Sequence, residues 1–311
     1  MTPLAKLTAY VVVLGTVVGG GAAVGNAVGP IDDAADEAPA HDDAHESGAD
    51  ADTDAAAHEA GPTDAEHAGD EQPLPGGVLV ADQGYRIEAD ETILAAGSAQ
   101  PFTFRITGPD GAPVHGFVDD HERELHLIVV GSDLGTYAHL HPSRADDGTW
   151  SIELPALAPG TYRAFADFAV ADGPELTLGV DLAVPGTATF AALPAPDPTA
   201  AVADGYEVTI AGAPEAGATS EVELTVTKDG RPVTDLQPYL GAFGHLVAIR
   251  GGDLAYLHVH PVGEAVHDGS ARGGPSVRFA LEVPSPGDYR LFFDFSHGDE
   301  VRTAAFTVEV P

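Results

Sequence analysis

The chain has 311 residues with 49 acidic and 13 basic side chains, and a formal charge of −36. Such a charge argues against nucleic acid and anionic membrane surfaces as partners, since both repel it. Cysteine is absent and Met1 is the single methionine. Disulfides, thiol nucleophiles, Cys-containing zinc sites and blue copper are thereby excluded, and metal chemistry is left to imidazole and carboxylate.

Lys6 precedes an uncharged, mostly apolar run from Leu7 to Gly29, close to the ~20 residues that span a bilayer. A cation before the run and acid after it put the N-terminus in the cytoplasm and the remainder outside. Residues 1–30 are therefore expected to be a transmembrane anchor that ties a single-pass protein to the cell membrane. The competing reading is a cleaved signal, with small residues at Gly25-Asn26-Ala27 near a plausible cut. In that case the chain is secreted.

Residues 31–76 read as a disordered acidic linker. Positions 31–72 hold fifteen Asp/Glu and no Lys or Arg, and a segment so poor in apolar residues cannot offset its ordering entropy. His41, His45, His58 and His67 lie in it among carboxylates. They are either incidental to a solvated spacer or part of a loose cation-collecting tether.

From Gly84 onward, short alternating runs are bounded by Gly, Pro and Asp. "FTFRIT" (102–107) and "VELTVT" (222–227) alternate strictly and lead into Pro109-Asp110-Gly111 and Lys228-Asp229-Gly230. This is the text of an all-β sandwich. It is written twice. "YAHLHP" (137–142) corresponds to "YLHVHP" (256–261), and "PGTYRAFADF" (159–168) to "PGDYRLFFDF" (286–295). The spacing from Pro113 to His126 equals that from Pro232 to His245. Two tandem Ig-like β-sandwich domains are expected at 77–186 and 200–311, joined by a Pro/Ala-rich linker at 187–199.

Each copy carries His-x₁₂-His-x-His-Pro. On a strand, His139 and His141 project from one face. If "LHLIVV" (125–130) and "TYAHLH" (136–141) pair antiparallel across Gly131–Gly135, His126 falls opposite one of them and three imidazoles converge. A one-residue slip destroys the cluster. The second copy gives the same arithmetic for His245, His258 and His260. Asp133 and Asp253 are turn formers. Tyr162, Phe165, Phe168, Tyr289, Phe293 and Phe295 are expected to face the core, and Tyr137 and Tyr256 to pack rather than to do chemistry.

Three imidazoles with an open position suit Cu²⁺ or Zn²⁺. His126, His139, His141, His245, His258 and His260 are thus candidate metal ligands, with Asp167, Asp294 and His297 as possible outer partners that fix a ring tautomer. The leading expectation is a surface-anchored, non-enzymatic protein that buffers or presents a divalent transition metal. Its partners are the metal ion and the membrane reached through the N-terminal helix. The alternative is a non-catalytic Ig-like structural or interaction module whose histidines serve the fold. A hydrolytic metalloenzyme is a third reading, but no general base is identifiable.

These motifs, with "YLGAFGHLVAIR" (239–250), resemble a group of exported, membrane-anchored actinobacterial proteins with Ig-like modules related to the YtkA-like domain. Its members are often named as heavy-metal-binding or copper-associated. The resemblance implies a β-sandwich fold and export more than a mechanism, and it leaves Cu²⁺ or Zn²⁺ binding as the form to test. This chain departs from copper-carrying sandwiches in having no Met-rich stretch.

Overall fold

The computed structural model describes residues 74–257 and 259–311, with His260 described by its backbone alone. The expected anchor, nearly all of the acidic linker, and His258 lie outside the described residues. No helix among the described residues is long and apolar enough to cross a membrane.

The described chain is all-β, and the same two-sheet sandwich occurs twice. In the first repeat, one sheet runs Ala81–Asp82, Tyr85–Ala89, Gln100–Thr107, Trp150–Leu154, Ser143–Arg144. The other runs Glu175–Val184, Gly160–Val170, His126–Gly131, Tyr137–Leu140. The second repeat reproduces the order with Thr199–Val202, Tyr206–Ala211, Thr219–Lys228, Ser276–Glu282, His260–Pro261. Its other sheet is Val301–Val310, Gly287–Ser296, His245–Arg250, Tyr256–Leu257. Equivalent tyrosines brace the corners: Tyr162 donates to the Ala158 carbonyl and Tyr289 to that of Ser285, each at 2.8 Å. This is the tyrosine corner of Ig-like sandwiches.

Each sandwich closes on its own core. Phe102, Phe104, Ile106, Leu127, Val129 and Trp150 fill the first, and Val222, Leu224, Leu246, Phe279, Phe293 and Phe295 the second. The strand Gln100–Thr107 buries alternate residues and leaves the others partly wet, as a sheet with one solvated face should. The strand His126–Gly131 behaves differently, because all six of its residues are buried. Its second face is covered by the other repeat.

That junction is a third apolar cluster. Ile128, Val130, Leu134 and Phe165 come from the first repeat, and Val247, Ile249, Tyr256 and Phe292 from the second. The expectation that Phe165 faces its own core is corrected here: period 2 puts Tyr162 and Phe168 inward and Phe165 outward against the second repeat. Burial of eight such side chains, at about 1.5–3 kcal/mol each, outweighs any hydrogen bond at the junction. The polar contacts therefore set register rather than supply most of the stability.

The lead-in segment also enters the junction. Arg163 Nε donates to the Gly77 carbonyl at 2.8 Å, and the Tyr256 amide to that of Gly76 at 2.9 Å. Gly77 has φ +72°, and a Cβ there would stand 2.3 Å from the Phe165 ring. No other residue fits that close approach without displacing the ring.

Candidate functional site

The first hairpin forms in the register that brings its histidines together. Leu127 pairs with Leu140 and Ile128 with His139, so one step further His126 lies across from His141. Asp133 caps the turn by accepting from the Gly135 amide at 3.0 Å, and Asp253 does the same for Ala255 at 3.1 Å. The ring centroids of His126, His139 and His141 stand 4.8–5.3 Å apart. One nitrogen from each lies within 4.8 Å of the other two. The face they share is the one turned to the second repeat.

The protons in this cluster follow from its outer bonds. Nε2 of His126 lies 3.0 Å from the Asp120 carbonyl, which can only accept, so Nε2 carries the proton and a neutral ring keeps its lone pair on Nδ1. Nδ1 of His139 lies 2.9 Å from Asp294 Oδ2 and donates to that carboxylate. A neutral His139 then also presents a lone pair, on Nε2, and the two bare nitrogens are 3.0 Å apart. One additional proton, or a cation, closes the contact. His141 Nε2 is buried without a hydrogen-bond partner. Burial first, then neighbouring His139, holds His126 down to about 4 and His141 to about 3. Both are neutral near pH 7 and able to offer lone pairs.

Asp294 belongs to the other repeat. It is 2 % exposed, and besides His139 it accepts from Tyr137 of the first repeat at 3.0 Å and from Thr303 of its own. The mirror contact is present: Tyr256 of the second repeat donates to Asp167 of the first at 3.0 Å, and Thr177 donates to Asp167 at 2.8 Å. Tyr137 stacks on Phe292 with centroids 4.1 Å apart, and Tyr256 leans on Phe165 at 5.6 Å. Equivalent residues thus exchange partners, as in an isologous interface. Burial, then Asp294 for Tyr137 and Asp167 for Tyr256, pushes both phenols well above their ordinary range, so both remain donors.

The expected partner roles of the acids are corrected accordingly. Asp294 serves a histidine of the first repeat, 155 residues away. Asp167 sits beside His126 in the ladder, and its carboxylate accepts from Thr177 and Tyr256. His297 is elsewhere. It lies past the end of its strand, between the Tyr206 hydroxyl at 2.6 Å and Asp235 at 3.1 Å, in the turn to the neighbouring strand Val301–Val310 of the same sheet.

In the second repeat, His245 Nε2 donates to the Tyr239 carbonyl at 2.8 Å, which matches the Asp120–His126 bond at the same spacing. Burial leads the causes that hold His245 down to about 4. Its ring lies 4.9 Å from His121 and 6.3 Å from His139, both in the first repeat. The backbone of His260 pairs with Ala280 in the opposite sheet, so it does not extend the ladder of the His245 strand. His258 lies outside the described residues.

One contributing side chain had no signal in the motif. His121 lines, with His126, His139, His245, Asp120 and Asp167, a cavity of about 30 Å³ between the repeats, room for a water-sized occupant. His121 and Glu122 form a tight turn with φ 48° and 64°, closed by two backbone bonds between Asp120 and Arg123. Such a turn favours Asn-Gly. Here it holds His121 in a strained conformation and aims the Asp120 carbonyl at His126. The second repeat builds the same turn with Leu240 and Gly241.

Fold and site together define a two-repeat β-sandwich protein whose histidines are gathered at the joint between its repeats. The chain belongs to the family described as Domain of unknown function (DUF8832), whose model matches residues 79–186 and 200–311. No protein of curated function matches the sequence. Among solved structures, an alpha-2-macroglobulin from Salmonella is similar at 12 % identity and TM-score 0.26, over 76 % of this chain and 15 % of that one. The Escherichia coli adhesin FdeC is similar at 14 % identity and TM-score 0.23, over 77 % of this chain and 66 % of that one. Invasin, a bacterial integrin-binding protein, is similar at 13 % identity and TM-score 0.21, over 73 % of this chain and 38 % of that one. The chain thus spans less than two thirds of each, and likenesses this slight carry no functional argument.

Proposed function

We propose that this protein is a non-catalytic, two-repeat structural or interaction module, held outside the cell membrane by the Leu7–Gly29 run, in which histidine, tyrosine and aspartate fasten the repeats into one body. The observation that carries this reading is the reciprocal exchange of Tyr137–Asp294 and Tyr256–Asp167 bonds across the shared apolar cluster. A fixed joint turns two small domains into one rigid unit that presents its outer surfaces at a set angle. In chelator, Asp167→Ala combined with Asp294→Ala should lower the unfolding temperature by many degrees and loosen the particle in X-ray scattering. Unchanged unfolding would refute the fastening role.

A second reading, binding of Cu²⁺ or Zn²⁺, is favoured by the approach of three ring nitrogens to within 4.8 Å of one another. The sequence likeness to exported YtkA-like proteins points the same way. The two readings are compatible.

A further inference from the structure

We infer that His126, His139 and His141 form a transition-metal centre whose aligning carboxylate, Asp294, is supplied by the other repeat, so that metal binding and the joint between repeats depend on one another. The inference rests on the fastening role of Asp294 proposed above.

Three ring nitrogens have no hydrogen-bond partner outside the cluster. Hydrogen bonding consumes Nε2 of His126 at the Asp120 carbonyl and Nδ1 of His139 at Asp294. The lone pairs left over, on Nδ1 of His126 and Nε2 of His139, point at each other from 3.0 Å. Two ligands of one tetrahedral ion with metal–nitrogen bonds of about 2.0–2.1 Å sit about 3.3 Å apart, so this pair needs a small relaxation only. The third nitrogen, Nε2 of His141, is the one buried imidazole nitrogen among the described residues without a hydrogen-bond partner. An orphaned buried acceptor costs about 1–3 kcal/mol, and a cation removes that penalty.

The outer bonds are those that metal-bound histidines ordinarily make, one to a carbonyl and one to a carboxylate. They fix both tautomers before a metal arrives. A metal ion takes the place of any proton held between His126 Nδ1 and His139 Nε2, so binding weakens as pH falls. Hard ions such as Ca²⁺ and Mg²⁺ prefer oxygen, whereas three imidazole nitrogens select Zn²⁺ or Cu²⁺. The structural consequence is directional: the ion draws His139 toward the first repeat while Asp294 holds its far nitrogen from the second. Binding therefore stabilises the joined state.

The test uses the full purified chain, titrated with Zn²⁺ and separately with Cu²⁺ against a competing chelator, beside His141→Ala and Asp294→Asn. His141→Ala removes a ligand and a buried unpartnered nitrogen but none of the hydrogen bonds that fasten the joint. Its metal-free stability should therefore be no lower than that of the wild type, while its affinity for one equivalent falls at least 100-fold. Asp294→Asn should lower that affinity 10–100-fold and shift the nitrogen hyperfine pattern of bound Cu²⁺. Binding that His141→Ala leaves unchanged places the metal elsewhere, as on the linker histidines, and overturns the inference. So does the absence of any equivalent bound more tightly than about 10 μM. Failure of the fastening role reads differently: Asp294→Asn would then unfold like the wild type in chelator, whatever the metal does.

Discussion

The two repeats share a sandwich, a tyrosine corner, a buried histidine bonded to a carbonyl six residues earlier, and an aspartate that accepts a tyrosine from the other copy. They differ at the turn just before that histidine. The first repeat places His121-Glu122 where the second has Leu240-Gly241. The second solution is the relaxed one, with glycine in the left-handed region. The first keeps two non-glycine residues there and gains an imidazole at the cavity between the repeats. What both copies keep is what the joint requires. Where they part, the first has added chemistry at a conformational cost.

The broadest test of the shared part is pH. Burial holds His126 and His245 at about 4 against about 6.5 in the unfolded chain. Between these values the unfolded chain takes up protons that the folded one refuses, so stability is full above pH 6.5 and falls as pH drops toward 4. Each histidine accounts for on the order of 3 kcal/mol, read as the denaturation midpoint in chelator across that window. His141, held lower still, adds to the same slope, so His126→Gln and His245→Gln should each remove about a third of it. If one removes it all, the repeats are not equivalent in this respect.

Asp294→Ala should cost roughly 3–5 kcal/mol, because it strands a buried histidine, a phenol and a threonine hydroxyl at once. Calorimetric unfolding would register this, and a loss below about 1 kcal/mol would count against the network. Tyr137→Phe and Tyr256→Phe keep their ring contacts and lose one charge-assisted bond each. Each should cost about 1.5–3 kcal/mol, and by the exchange symmetry their effects should agree closely. Unequal losses would show that one pin dominates. The smallest effect separates the repeats: Glu122→Gly makes the first turn like the second and should stabilise it by roughly 0.5–1 kcal/mol in urea unfolding. A destabilised variant would mean that the Glu122 side chain has a role of its own.

Much of the architecture was legible in the sequence. Period-2 alternation located the strands, repeated spacings defined the duplicated module, and Asp133 and Asp253 marked the hairpin turns. The convergence of His126, His139 and His141 followed from a two-residue period and one turn, because a hairpin is a local structure. Asp294 does accept from a histidine, but from one of the other repeat, whereas the hydrogen bonds of Asp167 come from Thr177 and Tyr256. His121 had no visible claim, since its place depends on a backbone turn and on the neighbouring repeat. His297 carried a false one, because closeness in sequence to Asp294 says nothing beyond the end of a strand.

The pattern used twice, His-x₁₂-His-x-His, thus gave the face on which the histidines of the first copy lie. It could not give what covers that face. Alternation along a strand assigns side chains to two sides, and a run such as His126–Gly131, apolar on both, announces only that neither side meets water. That the cover is the second repeat, with Asp294 reaching His139 and Tyr137 from 155 and 157 residues away, was decided by packing. Local chemistry fixes direction along the chain; the pairing of distant surfaces depends on shape and on buried charge, and these exist only once the two sandwiches have closed.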